Sequence, residues 1–230
     1  MGSSSGIEFH GIGHKTDLNA GAPGVNILDS SRNKNILVKN GTVTQEQLPS
    51  GLWVNAYDGA TGRHRGMNLR FPVLTDLTVL VWFYYDTDIT AYADGNNHDI
   101  FSAYADDNNN FTILKKAAGD WRIVAKGSGV VEVASVVDAT LVDKWHLFIL
   151  RKTSNVLDLL MDCVLRDTQP AATDMNKAIN RLSIGGDLWG GGHWPGKIDE
   201  SVVIKSFSMD ANQLKSYYNK TCQDHGRRPI

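Results

Sequence analysis

GKIDESVVIKSFSMDANQLKSYYN, residues Gly196 to Asn219, is the stretch that decides the fold. Gly196 offers a turn, Ile-Asp-Glu opens a strand, and Val202, Val203 and Ile204 continue it with β-branched residues that suit a pleated surface. Ser208 is a good N-cap, because its hydroxyl can accept a free backbone N–H, and Asp210 in the first turn suits the positive end of a helix. A helix is therefore predicted over Met209 to Tyr218, with Leu214, Tyr217 and Tyr218 spaced to dock on the body of the protein. Helical periodicity of this kind occurs only here.

Upstream, β-branched and aromatic runs alternate with Gly/Asn/Asp clusters. Leu77 to Tyr85 (LTVLVWFYY) is apolar at both sets of alternate positions, as a strand in the middle of a sandwich should be. Asp99 to Tyr104 and Phe111 to Lys115 read as strands around an Asp/Asn turn. Trp121 to Lys126 and Val130 to Val137 flank Gly127-Ser128-Gly129 as one hairpin, and Trp145 to Lys152 and Val156 to Met161 flank Thr153-Ser154-Asn155 as another. Short strands at this spacing mean a sandwich or a barrel.

The bulk numbers agree with a single all-β domain. The chain has 230 residues, 42% hydrophobic and 21% charged, as in ordinary globular proteins. A domain of that size hides roughly 70% of the surface that its unfolded chain exposes, so it needs no staples. The net charge of −2, without a Lys/Arg block, gives no electrostatic case for nucleic acid. No apolar run is long enough to span a bilayer. Residues 1–16 read as an N-terminal extension, Met1 to Gly6 partly resembling a vector-derived tag, and residues 17–230 as the domain. The extension has neither a basic start nor an apolar centre, so it does not read as a signal peptide. Cys163 and Cys222 are too few for a disulfide framework and lack metal-site spacing; one bridge or two free thiols both remain open.

Six segments, taken in order, resemble laminin-G-like domains of the concanavalin A-like lectin/glucanase family. They are ILDSSRNKNILVKNGTV (Ile27 to Val43), AYDGATGRHRGMNLRF (Ala56 to Phe71), DKWHLFILRK (Asp143 to Lys152), LLMDCVLRD (Leu159 to Asp167), RLSIGGD (Arg181 to Asp187) and the C-terminal run. In LLMDCVLRD, Cys163 stands where the family has a turn glycine, and Arg32 replaces a usual glycine in the first segment. The resemblance implies an all-β antiparallel sandwich, a jelly roll with one short C-terminal helix. It also implies recognition rather than chemistry, with a surface glycan or a surface protein as partner. The setting it suggests is extracellular or virion-surface, within an assembly of several copies. A phage-tail or capsid-surface structural component acting through protein contacts is the alternative, and a glycan hydrolase or lyase is a third.

Four places carry candidate chemistry. GGDLWGGGHWPG, Gly185 to Gly196, packs two tryptophans, a histidine and six glycines into twelve residues. An indole presented by permissive glycines can stack on the apolar face of a sugar. Trp189, His193 and Trp194 are therefore the expected ligand contacts, against a core role that the family pattern favours for Trp194. Second, the resemblance implies a structural Ca²⁺ held by Asp199 with Asp29 and Asn33, against a plain hydrogen-bonding role for Asp199. Calcium takes six to eight oxygens. Third, Asp106 to Asn110, with His98 and Asp99 nearby, lacks the glycine and terminal Glu of an EF-hand, so turn formation explains it. Finally, the related hydrolases set carboxylates at alternate positions of one strand. Glu8, Glu46, Glu132 and Glu200 form no such pattern, although a pair drawn from different strands stays open. His146 beside Trp145 reads as a strand residue rather than a base, and Gly2 to Gly6 matches a nucleophile elbow in letters only.

Overall fold

In a computed structural model, the described residues are 6–11, 26–28, 31, 33–69, 71, 73, 75–87, 97–117, 119–170, 173–205 and 208–230. Two antiparallel sheets stack face to face. The first runs β14 (Val164–Pro170), β13 (Val156–Met161), β12 (Trp145–Thr153), β7 (Leu77–Tyr85), β16 (Pro195–Lys205), β5 (Trp53–Asp58) and β4 (Val43–Gln47). The second runs β11 (Val130–Val137), β10 (Asp120–Gly127), β9 (Asn109–Lys115), β8 (His98–Asp106), β15 (Arg181–Ile184), β6 (Arg63–Met67), β3 (Ile36–Asn40) and β2 (Asn26–Leu28). β1 (Gly6–Gly11), which the sequence places in the extension, pairs with the second half of β16; Met1 to Ser5 lie outside the described residues.

β16 explains why its segment decides the fold. Its first half pairs with β5, its second half with β1, and both halves with β7 across a register shift between Ile198 and Ser201. Gly196, its second residue, has φ +135° and lies where a Cβ would stand 2.1 Å from the Tyr84 carbonyl oxygen, so no other residue fits.

Apolar side chains fill two layers. Val79, Val81, Phe83, Ile113, Trp121, Phe148 and Leu182 meet between the sheets. Leu80, Trp82, Leu147, Ile149 and Val202 point the other way, where Leu214, Tyr218 and Cys222 cover them. β7 is thus buried on both faces because a helix covers its outer side. That helix, α1 (Ala211–Thr221), starts later than the sequence suggested. Asp210 is the N-cap, its carboxylate accepting the Gln213 N–H at 2.9 Å while the Gln213 side chain accepts the Asp210 N–H at 2.9 Å. Ser208 instead bonds Thr153 across to β12.

Cys163 and Cys222 are both free thiols. Cys163 has φ +64° in the β13–β14 turn, the left-handed geometry that the family fills with glycine, and burial pushes its thiol up to about 11. His146 is a strand residue whose Nδ1 lies 2.7 Å from Asp162 in that same turn. Among the described residues no helix is long and apolar enough to cross a membrane.

His64 sets an acid limit on stability. Its Nδ1 lies 3.0 Å from the Tyr57 hydroxyl in the core, and burial lowers its pKa to about 3. The unfolded chain therefore binds the extra proton first, and stability falls as pH drops from the ordinary histidine value toward 3, by at most about 1.4 kcal/mol per pH unit. Urea unfolding over that range will show a shallower acid limb for His64→Gln than for wild type; equal slopes would refute the assignment.

Candidate functional site

The loop from Gly185 to Trp194 leaves β15 and folds over the outer face of the second sheet before entering β16. Outward positions on β8 are Asp99, Ser102 and Tyr104, and β15 contributes Arg181 and Ser183 beside them. Asp187 ties the loop down: its Oδ1 accepts the N–H groups of Trp189 (2.7 Å), Gly190 (2.5 Å) and Gly191 (2.8 Å). Three amides on one oxygen form a compact turn, of the kind that Asp favours.

That turn holds Trp189 out of the protein, with 64% of it exposed. Its indole stands edge-on to Tyr104, centroids 5.7 Å apart and planes at 89°. The Arg181 guanidinium lies over both rings, 5.2 Å from Tyr104 and 5.4 Å from Trp189. A cation above two aromatic faces restrains them at little entropic cost. The result is a fixed, solvent-facing aromatic platform.

Next to it is a cavity of about 350 Å³ lined by Asn97, Asp99, Thr112, Leu114, Asp187 and Gly192, with Val124 also on its wall. Asp99 is 8% exposed and its Oδ2 accepts the Ser102 hydroxyl at 2.9 Å. Burial pushes the Asp99 carboxyl up to about 7; the Ser102 hydrogen bond opposes this and the Asp187 charge adds to it. On the far side of the loop, Arg63 Nε and Nη1 are buried with no hydrogen-bond partner among the described residues, and burial with the nearby Arg65 charge lowers its pKa.

The expected contact residues separate. Trp189 is presented as the sequence suggested. His193 is half-buried and braces its own loop, with Nε2 3.2 Å from the Gly190 carbonyl and its backbone oxygen 2.8 Å from His98 Nδ1. Trp194 is corrected: it is 0% exposed, packs edge-on against Phe83 and Tyr85, and its indole N–H donates to the Tyr84 carbonyl at 3.2 Å. An indole inside the sandwich cannot touch a ligand at the surface.

The two described calcium candidates, Asp199 and Asn33, lie apart. Asp199 is buried on the α1 side of the first sheet, where its Oδ2 lies 3.0 Å from His225 Nε2. Asn33 sits between β2 and β3, in the other sheet, and Asp29 lies outside the described residues. No group of three or more metal-ligating side chains occurs among the described residues. Asp106 behaves as a turn residue, accepting the Asn108 N–H and the Asn109 side chain, each at 2.9 Å. The Asp99–Asp187 pair is what sequence reasoning missed, since the two residues come from different elements.

Residues 58–213 match the family model described as the concanavalin A-like lectin/glucanases superfamily, more than half of the chain. The chain belongs to that superfamily. The superfamily's sandwich is also the form of the solved structures it resembles. The binding domain of botulinum neurotoxin serotype D superposes with a TM-score of 0.71 at 12% identity, covering 94% of this chain and 52% of that one. The serotype D ligand-binding domain in complex with N-acetylneuraminic acid gives 0.71 at 10% identity, covering 94% and 51%. The binding domain of Paraclostridial Mosquitocidal Protein 1 gives 0.72 at 12% identity, covering 96% and 55%. This member of the superfamily thus spans about half the length of each, and at such identities the likeness is one of fold. No curated protein sequence matches it.

Proposed function

We propose that this domain is a non-catalytic recognition module that binds a surface glycan on the outer face of its second sheet. The observation that carries the reading is the exposed Trp189, fixed by Tyr104 and Arg181, on the same loop whose Asp187, Gly191 and Gly192 wall a cavity. A sugar ring would lay its apolar face on the indole and turn hydroxyls toward Asp99, Asp187, Asn97 and Thr112. The structural neighbours, which are binding domains and include one in complex with N-acetylneuraminic acid, support the same class of function. Binding at one such site is weak, so several copies on an extracellular or virion surface would supply avidity.

Catalysis is the second reading, because Asp99 and Asp187 share one cavity and burial pushes one of them up. Against it, Asp187 is committed to three loop amides, a posture suited to holding the loop rather than attacking a bond.

Titration with a panel of polysaccharides tests the first reading. Trp189→Ala will weaken binding about ten-fold or more while leaving the melting temperature within a degree or two of wild type, since an exposed side chain adds little to stability. Unchanged binding by the variant would refute the site. Release of reducing ends from a bound polysaccharide would replace recognition by hydrolysis.

A further inference from the structure

The cavity beside Trp189 has a chemical preference of its own. Each of its two carboxylates has one oxygen occupied by the protein, Asp99 Oδ2 by Ser102 and Asp187 Oδ1 by the three loop amides. Asp99 Oδ1 and Asp187 Oδ2 carry no hydrogen bond from the described residues. The first faces Gly192 and the second faces Gly191, both on the loop that roofs the cavity. Neither glycine has a side chain to fill that space, so two acceptor oxygens, one of them on a side chain more than nine-tenths buried, look into the same 350 Å³.

We propose that these oxygens receive a free amino group, so that the ligand is a glycan containing unacylated amino sugars, with one ammonium held between Asp99 and Asp187. This rests on the glycan reading and makes it specific. A buried carboxylate, Asp99, and a half-buried one, Asp187, disfavour each other's charge across one cavity, and a neutral hydroxyl does not relieve that, whereas a cation does. Burial does most to raise the Asp99 carboxyl and the Asp187 charge adds to it, and a cation placed between the two opposes both effects. Arg63 offsets part of the Asp187 charge from the far side of the loop, but its guanidinium lies under Gly190 and does not line the cavity. Lys115 is turned away, its ammonium 4.7 Å from the Tyr85 ring.

The remaining walls suit a sugar better than a bare metal ion. Calcium would need six to eight oxygens, and no group of three metal-ligating side chains stands here among the described residues. Leu114 and Val124 offer an apolar floor for ring C–H groups, and Thr112 and Asn97 offer hydroxyl partners. The volume is at the low end of small-ligand sites and fits one sugar residue, with its neighbour free to stack on Trp189. An N-acetyl group in this place would remove the charge and bring a methyl group against two carboxylates.

Isothermal titration at neutral pH with three tetrasaccharides decides it: β-1,4-linked glucosamine, its fully N-acetylated form, and cellotetraose. The glucosamine tetramer will bind at least ten-fold more tightly than the other two, as one charge-assisted contact warrants. Asp99→Asn, which keeps an acceptor for Ser102, will abolish that preference, and Trp189→Ala will weaken all three. Asp187→Asn, which keeps the oxygen that holds the loop, serves as a second variant, and circular dichroism will verify that each is folded. Equal affinity for the three tetramers would overturn this inference and leave the glycan reading standing. No binding of any would overturn both. Binding that appears only with added calcium would overturn the amine and make the pair a metal site.

Discussion

Trp194→Ala will lower the free energy of unfolding by about 3–5 kcal/mol, as expected for emptying a large aromatic site in a close-packed core. The indole fills the end of the inter-sheet layer where Phe83, Tyr85 and Trp121 converge, at centroid distances of 5.7, 5.3 and 6.2 Å. Its backbone N–H also donates to the Gly185 carbonyl at 2.9 Å, clamping the two ends of the Trp189 loop together. A hole here therefore loosens the platform as well as the core. For a domain of this size such a loss lowers the melting temperature by roughly 6–20 °C. Calorimetry will read it, and a drop of less than about 1 kcal/mol would mean that the ring is not packed as described. The contrast with Trp189→Ala, five positions earlier in the same loop, separates a structural tryptophan from a recognition one.

The second large effect is at His225, in the 3₁₀ turn Cys222–His225 that follows α1. Its ring stacks on Trp82 with centroids 4.3 Å apart and planes at 9°, and meets Trp145 edge-on at 4.8 Å. Nδ1 lies 2.9 Å from the Thr221 carbonyl and Nε2 3.0 Å from Asp199 Oδ2. The ring thus links the Thr221 carbonyl and the Asp199 carboxylate through its two nitrogens, tying the 3₁₀ turn to β16. Removing one partner of such a buried pair costs about 3–5 kcal/mol, because the other charge stays desolvated. His225→Ala will show that loss in urea unfolding. Asp199→Asn will lose less, and the double variant will lose clearly less than the sum of the two. Strict additivity would refute the pair.

The sandwich was legible because strand physics is local. Runs such as Leu77–Tyr85 and Val156–Met161 carry their own pattern and turn residues, and their observed limits agree with the reading. What covers each face is not local. The outward Leu80 and Trp82 read as sandwich interior, and only the docked helix shows that they belong to a separate layer. The helix start was misplaced because Ser208 and Asp210 are both good caps; the Asp210-x-x-Gln213 spacing was the available signal for the later one. In the site, the glycine-rich loop announced Trp189, and only the family pattern, which favours a core aromatic before Gly196, separated it from Trp194. Asp99 and Asp187 meet only because β8 and β15 pair. His225 had no sequence signal, since its partners lie on β7, β12 and β16.

Most sheets grow outward from an early centre, and this one is completed in its middle. Until Pro195–Lys205 joins, β7 with β12 to β14 on one side and β5 with β4 on the other are separate ribbons whose facing edges have no mate. A nascent chain carrying only the earlier strands would expose two sticky borders, so folding waits for synthesis of the keystone and is slowed by the distant pairings it must make. During that wait the half-made protein is most exposed to aggregation, and a chaperone has most to protect.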